Sequence, residues 1–341
     1  MEVKENILNC TEGDVLAEDI LSPYGAVLLP RGTFINDYIM QKLMELGIEE
    51  ALIFRMEHKA ISKGLFEKSY ASNMYKTKRL MQALIKGEKL DSTAVEEITT
   101  AIVSTKEETE QIIKFLMRVQ EVDDYTYYHS VNVSYYSMLI ARWLNLAEKE
   151  VKIITQAALL HDVGKAKIPN ELLNKREKLT NEEFEELKRH SQYGYEMLKD
   201  IKEISWEVKN VVLMHHERDD GSGYPMGLTR DNINNYAKIV AVADVYDAMT
   251  SNRTYKQAMT PFNAFEEFFA ICRSRLDMSI VDLFLTNLAK YYVGCEVMLS
   301  DGRRAKVAYV PPQCPWKPII ALDSQFLDLS LEKELTIMGM I

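Results

Sequence analysis

Apolar residues recur every three to four positions through most of the middle of the chain. Ile98, Ile102 and Val103, then Ile112, Ile113, Leu116 and Val119, follow this spacing. So do Val131–Leu144, Val151–Leu160, Asn181–Arg189, Tyr193–Leu198, Ser205–Met214 and Ile233–Met249. A period near 3.6 predicts amphipathic helices. Gly164, Pro169, Gly221, Gly223, Pro225 and Gly227 fall between these segments, as breakers should. The two ends carry a different pattern. Cys295–Leu299 and Ala305–Val310 alternate around Ser300-Asp301-Gly302, which predicts a hairpin, and Ile319–Leu322 adds a strand after Pro311, Pro312, Pro315 and Pro318. At the start, Val15–Ala17 and Ala26–Leu29 flank Ser22-Pro23-Tyr24-Gly25, a second hairpin pattern. A helix is expected from Asn36 to Leu46 with Gly47 as its stop, then a strand at Ala51–Phe54.

The expected organisation is mainly α. A small α+β module spans residues 1–57, a helical connector 58–122, a helix bundle 123–290 and a β-rich appendix 291–341. The first module has no histidine and no glycine-rich phosphate loop, which suits a structural or regulatory part.

Composition narrows the function classes. The 341 residues include 41 Lys plus Arg and 51 Asp plus Glu, a formal charge of −10, with 47% hydrophobic and 27% charged residues. This is a globular composition. A pI near 5.3 argues against electrostatic binding to DNA, RNA or anionic lipid. Met1–Cys10 lacks the pattern of a secretory signal, and no stretch reaches the roughly 18 apolar residues of a membrane span. Cys10, Cys272, Cys295 and Cys314 are far apart and form no CxxC pair, so reduced thiols and a cytoplasmic location are expected.

The candidate chemistry is in the histidines. Five of the six, His129, His161, His190, His215 and His216, fall in the helical region, and only His58 lies elsewhere among polar residues, where a surface role suffices. Asp162 follows the apolar Ala157–Leu160, and Asp244 interrupts Ile239–Val245. A carboxylate among Val and Ala is costly to bury unless it is paired or binds metal. Imidazole and carboxylate together suit a transition metal rather than Ca or Mg. Seven ligands exceed one ion and suit two. Two six-coordinate ions offer about 12 positions; seven residues with one bridging Asp fill about 8 and a bridging hydroxide about 2. About two positions stay open, which favours hydrolysis over a closed structural site.

These residues carry a resemblance. His161-Asp162-Val163-Gly164-Lys165 resembles the HD motif of the HD metal-dependent phosphohydrolase superfamily. His215-His216-Glu217 through Gly223-Tyr224-Pro225 resembles the HHExxDGxGYP signature of its HD-GYP subfamily. Tyr125–Val131 and Asp244–Lys256 resemble that subfamily's YTxxHS and DVYDAxTSxRxY segments. The likeness covers about residues 123–290, roughly half of the chain.

The resemblance implies an HD-type helix bundle that hydrolyses a cyclic dinucleotide, above all the bacterial messenger cyclic di-GMP. A hydroxide bridging two metals, iron or manganese, would give linear pGpG and then GMP. His129, His161, Asp162 and Asp244 would hold one metal; His190, His215 and His216 would hold the second, with Asp162 bridging. Lys165 would face the hydroxide or the phosphate. Arg253 and Lys256 would bind the phosphates or the second nucleotide half, with a solvated helix end as the alternative. Tyr224 would stack on a base or pack its loop down. Gly223-Tyr224-Pro225 also resembles a docking surface for GGDEF domains, and a homodimer is compatible with the reading. Some subfamily members bind a third metal through a Glu where this chain has Tyr125, so two metals are expected. Asn170, Ser191, Asp219 and Lys238 also depart from the usual pattern, and none of these changes removes a ligand. Cyclic GMP-AMP hydrolysis, mononucleotide hydrolysis, di-iron oxygenation and a non-hydrolytic sensing or docking module remain the competing readings.

Overall fold

The structure is a computed structural model of the chain. It describes residues 2–7, 10, 15–21, 25, 27–29, 43–44, 47–48, 50–54, 63–106, 108–116, 125–173, 175, 177–250, 260–322, 325–332 and 334–341. His58, most of the expected helix at 36–46, the turn residues 22–24, and Arg253 and Lys256 lie outside these residues. The chain divides into two compact units, residues 1–65 and 66–341.

The smaller unit pairs β1 (Glu2–Asn6) and β2 (Val15–Leu16) antiparallel with the two sides of β5 (Glu50–Phe54), while β3 (Ile20–Leu21) pairs with β4 (Val27–Leu29). The hairpin is therefore β3–β4, not Val15–Ala17 with Ala26–Leu29 as the pattern suggested. Val15 and Leu16 pair instead with Phe54 and Ile53. Ile7, Leu16, Leu43 and Ile53 are fully buried in a core of their own.

The larger unit is mainly helical. Its helices are α1 (Lys63–Ile85), α2 (Ser92–Val103), α3 (Thr109–Leu116), α4 (Tyr125–Trp143), α5 (Glu148–Leu160), α6 (Asn170–Leu173), α7 (Asn181–Lys188), α8 (His190–Leu198), α9 (Trp206–Met214), α10 (Asn235–Thr250), α11 (Pro261–Cys272) and α12 (Met278–Ala289). Local chemistry fixes several ends. At α7, Thr180 and Glu183 cap each other: the Glu183 amide donates to the Thr180 hydroxyl and the Thr180 amide to the Glu183 carboxylate. Thr260 caps α11, whose first residue is Pro261. Pairs α4–α5, α4–α10 and α8–α9 pack closely, which brings the histidine-bearing segments to one place.

The C-terminal strands are β6 (Glu296–Leu299), β7 (Arg304–Tyr309), β8 (Ile319–Leu322), β9 (Gln325–Asp328) and β10 (Ile337–Met340). They form one antiparallel sheet in the order β10-β6-β7-β8-β9. Gly302 takes a φ of 84° in the β6–β7 turn, a left-handed conformation that suits glycine. Val297, Leu299, Ala305, Val307, Ile320 and Leu322 alternate inward and share one apolar core with the helices.

Candidate metal centre

The site is assembled mostly from helix ends. His129 projects from α4 and Asp244 from the middle of α10. His161 ends α5, and Asp162 opens a 3-10 turn, Val163–Lys167, that carries Lys165. His190 is the first residue of α8, and His215 ends α9 with His216 just after it. Of these residues His216 and Lys165 are half-buried and the others are buried.

Two glycines permit this convergence. A Cβ at Gly164 would lie 1.9 Å from the His190 carbonyl oxygen, and one at Gly194 would lie 2.7 Å from Val212 Cγ1. The 3-10 turn thus rests directly on the backbone of α8, and α8 rests on α9. Any larger side chain at Gly164 would separate Asp162 from His190.

The seven residues form two groups. His129, His161 and Asp244 offer ligand atoms within 4.8 Å of one another, and so do Asp162, His190, His215 and His216. Asp162 faces both groups. Its Oδ2 lies 3.3 Å from His161 Nε2 and 3.7 Å from His129 Nε2, while its Oδ1 lies 3.4 Å from His190 Nε2.

Hydrogen bonding orients the rings. The Nδ1 atoms of His161, His190 and His215 donate to the carbonyl oxygens of Ala158, Leu187 and Val212 at 2.7, 2.7 and 2.8 Å. A carbonyl only accepts, so each Nδ1 carries the proton and each Nε2 presents a lone pair to the centre. His190 Nε2 and His215 Nε2 then face each other at 3.3 Å as two acceptors, which no hydrogen bond between them satisfies. His161 Nε2 and Asp162 Oδ1 are buried without a hydrogen-bond partner. Converging imidazole lone pairs and an orphaned carboxylate oxygen fit divalent transition-metal ions.

The electrostatics of the second group agree. Burial lowers His190, His215 and His216 below the ordinary imidazole range, and neighbouring imidazoles add to the shift at His215 and His216. They are held neutral, the form that binds metal. Burial works against the charge of Asp162, but Lys165, His161 and His190 outweigh it and hold the carboxyl well below its usual range. The Lys165 ammonium donates to Asp162 Oδ2.

Three functional side chains escaped the sequence reading. Asp247 Oδ2 accepts from His129 Nδ1 at 2.7 Å, and Asp247 Oδ1 accepts from Asn132 Nδ2 at 3.0 Å. Glu217, buried, accepts the amides of Met226 at 2.7 Å and Leu228 at 2.8 Å, which ties the loop after His216 back to the site. The signal for Asp247 and Asn132 was their i,i+3 spacing from Asp244 and His129, which places each pair on one helix face. Glu217 carried none beyond its place in the motif. Within that loop the Tyr224 ring lies 4.6 Å from the His216 ring, centre to centre, and the Tyr224–Pro225 bond is cis.

A family model for the HD domain matches residues 105–280. The chain belongs to the HD domain family. Among curated relatives, this HD domain protein is 37% identical over 236 residues to a cyclic di-GMP phosphodiesterase of Pseudomonas aeruginosa, covering 69% of this chain and 55% of that one. It is 30% identical over 275 residues to the 3'3'-cGAMP-specific phosphodiesterase 2 of Vibrio cholerae, covering 79% of this chain and 49% of that one. The chain thus spans about half the length of these relatives. The solved structure of an HDG"Y"P protein from Bdellovibrio bacteriovorus shares the fold, with a TM-score of 0.57 at 17% identity over 83% of this chain and 98% of that one. No described helix is long and apolar enough to cross a membrane.

Proposed function

We propose that this HD domain protein is a metal-dependent phosphodiesterase that opens a cyclic dinucleotide, cyclic di-GMP first, to the linear form and then to GMP. The observation that carries the reading is Asp162, whose two oxygens face two separate sets of imidazoles. In this reading His129, His161, Asp162 and Asp244 hold one ion, and His190, His215 and His216 hold the other with Asp162 shared. When bound, two divalent ions supply hydroxide at neutral pH and stabilise charge on the phosphate oxygens. Mixed imidazole and carboxylate donors suit Fe, Mn, Zn or Ni, and the resemblance to the HD-GYP subfamily favours iron or manganese among them.

The chain's own groups do the rest. Lys165, one turn beyond Asp162, keeps that carboxylate charged and would offer an ammonium to the reacting phosphate. Tyr224, held against His216 by the Glu217-anchored loop, borders the half-buried mouth where a base can stack. Arg253 and Lys256, assigned by the motif alone, bind phosphate, Arg by its planar fork and Lys as a point charge. The Gly223-Tyr224-Pro225 loop is the surface we assign to a GGDEF-domain partner; its neighbour Met226 is 47% exposed. Four free cysteines fit a reducing compartment, the cytoplasm of a bacterium. A homodimer is compatible with this reading, and DNA or RNA is not a partner at a net charge of −10.

The relatives support a cyclic dinucleotide and divide over its bases, so cyclic GMP-AMP is the second substrate to test. The experiment is anaerobic turnover of both nucleotides by Mn- or Fe-loaded protein, with Asp162→Ala alongside. Linear dinucleotide from the loaded wild type and none from the variant supports the reading. Binding without turnover by the loaded protein would replace it with a sensing or docking module.

A further inference from the structure

The chain of side chains behind His129 does not stop at Asp247. Asn132 Nδ2 donates to Asp247 Oδ1 at 3.0 Å, and Asn132 Oδ1 in turn accepts from the Tyr70 hydroxyl at 2.5 Å. Tyr70 lies on α1, the helix that follows the N-terminal unit, 62 residues before Asn132. The donors converge on Asp247 from both sides: Tyr70 donates to Asn132 and Asn132 to one carboxylate oxygen, while His129 donates to the other. All four side chains are buried.

The direction matters because an amide has two unlike ends. With its NH2 toward Asp247, Asn132 satisfies the carboxylate; flipped, its oxygen would face a carboxylate oxygen and repel it. The Tyr70 hydroxyl donates to the amide oxygen and so holds the productive orientation. Asp247 then fixes the His129 proton on Nδ1 and leaves Nε2 aimed at Asp162 and Asp244, 3.7 and 3.0 Å away. The Tyr70 ring is itself clamped, 4.9 Å from Phe115 and 5.9 Å from Tyr135, which lies on the same helix as His129.

We infer that Tyr70 is a positioning residue for the metal ligand His129, acting through Asn132 and Asp247, so that the seating of α1 sets the affinity of the His129 ion. This rests on the two-ion reading of the site. It gives the segment that leads out of the N-terminal unit a physical route to the metal without any change in the ligands themselves. A shift of α1 that separates Tyr70 from Asn132 lowers metal occupancy, and one that seats it raises occupancy.

The test is titration of the full, chelator-stripped chain with Mn2+ alone, read as ions bound per chain and their dissociation constants, with apo-protein melting as the control for folding. Groups that orient a metal-ligating histidine are worth about 10- to 100-fold in affinity, so Asp247→Asn should weaken one of two sites by that order. Tyr70→Phe, which keeps the ring, should weaken the same site about 3- to 10-fold, a fraction of that range. In an Asn132→Ala background Tyr70→Phe should have no further effect, whereas a purely structural role would give additive losses. Unchanged affinity in Tyr70→Phe, or full additivity with Asn132→Ala, overturns the inference and leaves the two-ion reading intact. A wild-type chain that binds no Mn2+ overturns both.

Discussion

At the scale of single residues, His129 is the most informative side chain. It lies between Asp244 at 3.0 Å and Asp247 at 2.7 Å. Burial opposes its charge, yet hydrogen bonds to both carboxylates and their negative charge raise it from 6.5 to about 9. In the metal-free protein a group raised on folding contributes stability that is complete below about pH 6.5 and is lost as pH climbs through about 9. The melting midpoint of chelator-treated protein should therefore fall between about pH 7 and pH 9.5, and His129→Gln should remove that part of the slope. A wild-type midpoint that stays flat across the same window contradicts this account of His129. The candidate ligands themselves were legible in the chain, since the adjacent pairs His161-Asp162 and His215-His216 follow apolar helical runs, where such groups are costly to bury unless they bind something. Asp247, Asn132 and Tyr70 were not, because their roles depend on helices 62 to 118 residues apart meeting in space.

At the scale of elements, close backbone approach decides whether the two ligand groups share Asp162. Gly164 has the His190 carbonyl oxygen and the Gly194 amide where a Cβ would go, at 1.9 and 2.4 Å. Gly164→Ala should cost about 1–3 kcal/mol or more, as overpacking does, and should release metal by moving the 3-10 turn off α8. Gly339→Ala, where a Cβ meets nothing within 4 Å, is the control and should change neither property. Wild-type melting and metal content in Gly164→Ala would show that this contact does not set the site. Long apolar runs of helical length made α4, α5, α9 and α10 visible in advance, although α10 is buried nearly all round rather than on one face. The strands β1, β3, β9 and β10 were not visible. Glu2–Asn6 holds a single apolar residue, Val3, and becomes a strand because β5 supplies its hydrogen-bond partners. Gln325–Asp328 lacks alternation in burial and is drawn into the sheet by β8.

At the scale of the molecule, a net charge of −10 is compatible with the proposed anionic substrate, because positive charge would be local: Lys165 beside Asp162, and metal among His190, His215 and His216, which are held neutral. The terminal sheet belongs to the same body as the site. Its inward residues join the helical core, and Trp316 packs on Phe269 of α11 at 4.8 Å between ring centres. Ending the chain after residue 293 should lower the melting midpoint by at least about 3 °C, the effect of roughly 2 kcal/mol in a unit of this size. An unchanged midpoint would mean that the sheet folds as an independent appendage. The central claim is that two ions share Asp162, and anomalous diffraction from metal-loaded crystals tests it most directly. The account predicts two peaks about 3.5–4 Å apart, one among His129, His161 and Asp244 and one among His190, His215 and His216, with Asp162 between them. A single peak, or two peaks with Asp162 bound to neither or to only one, would contradict it.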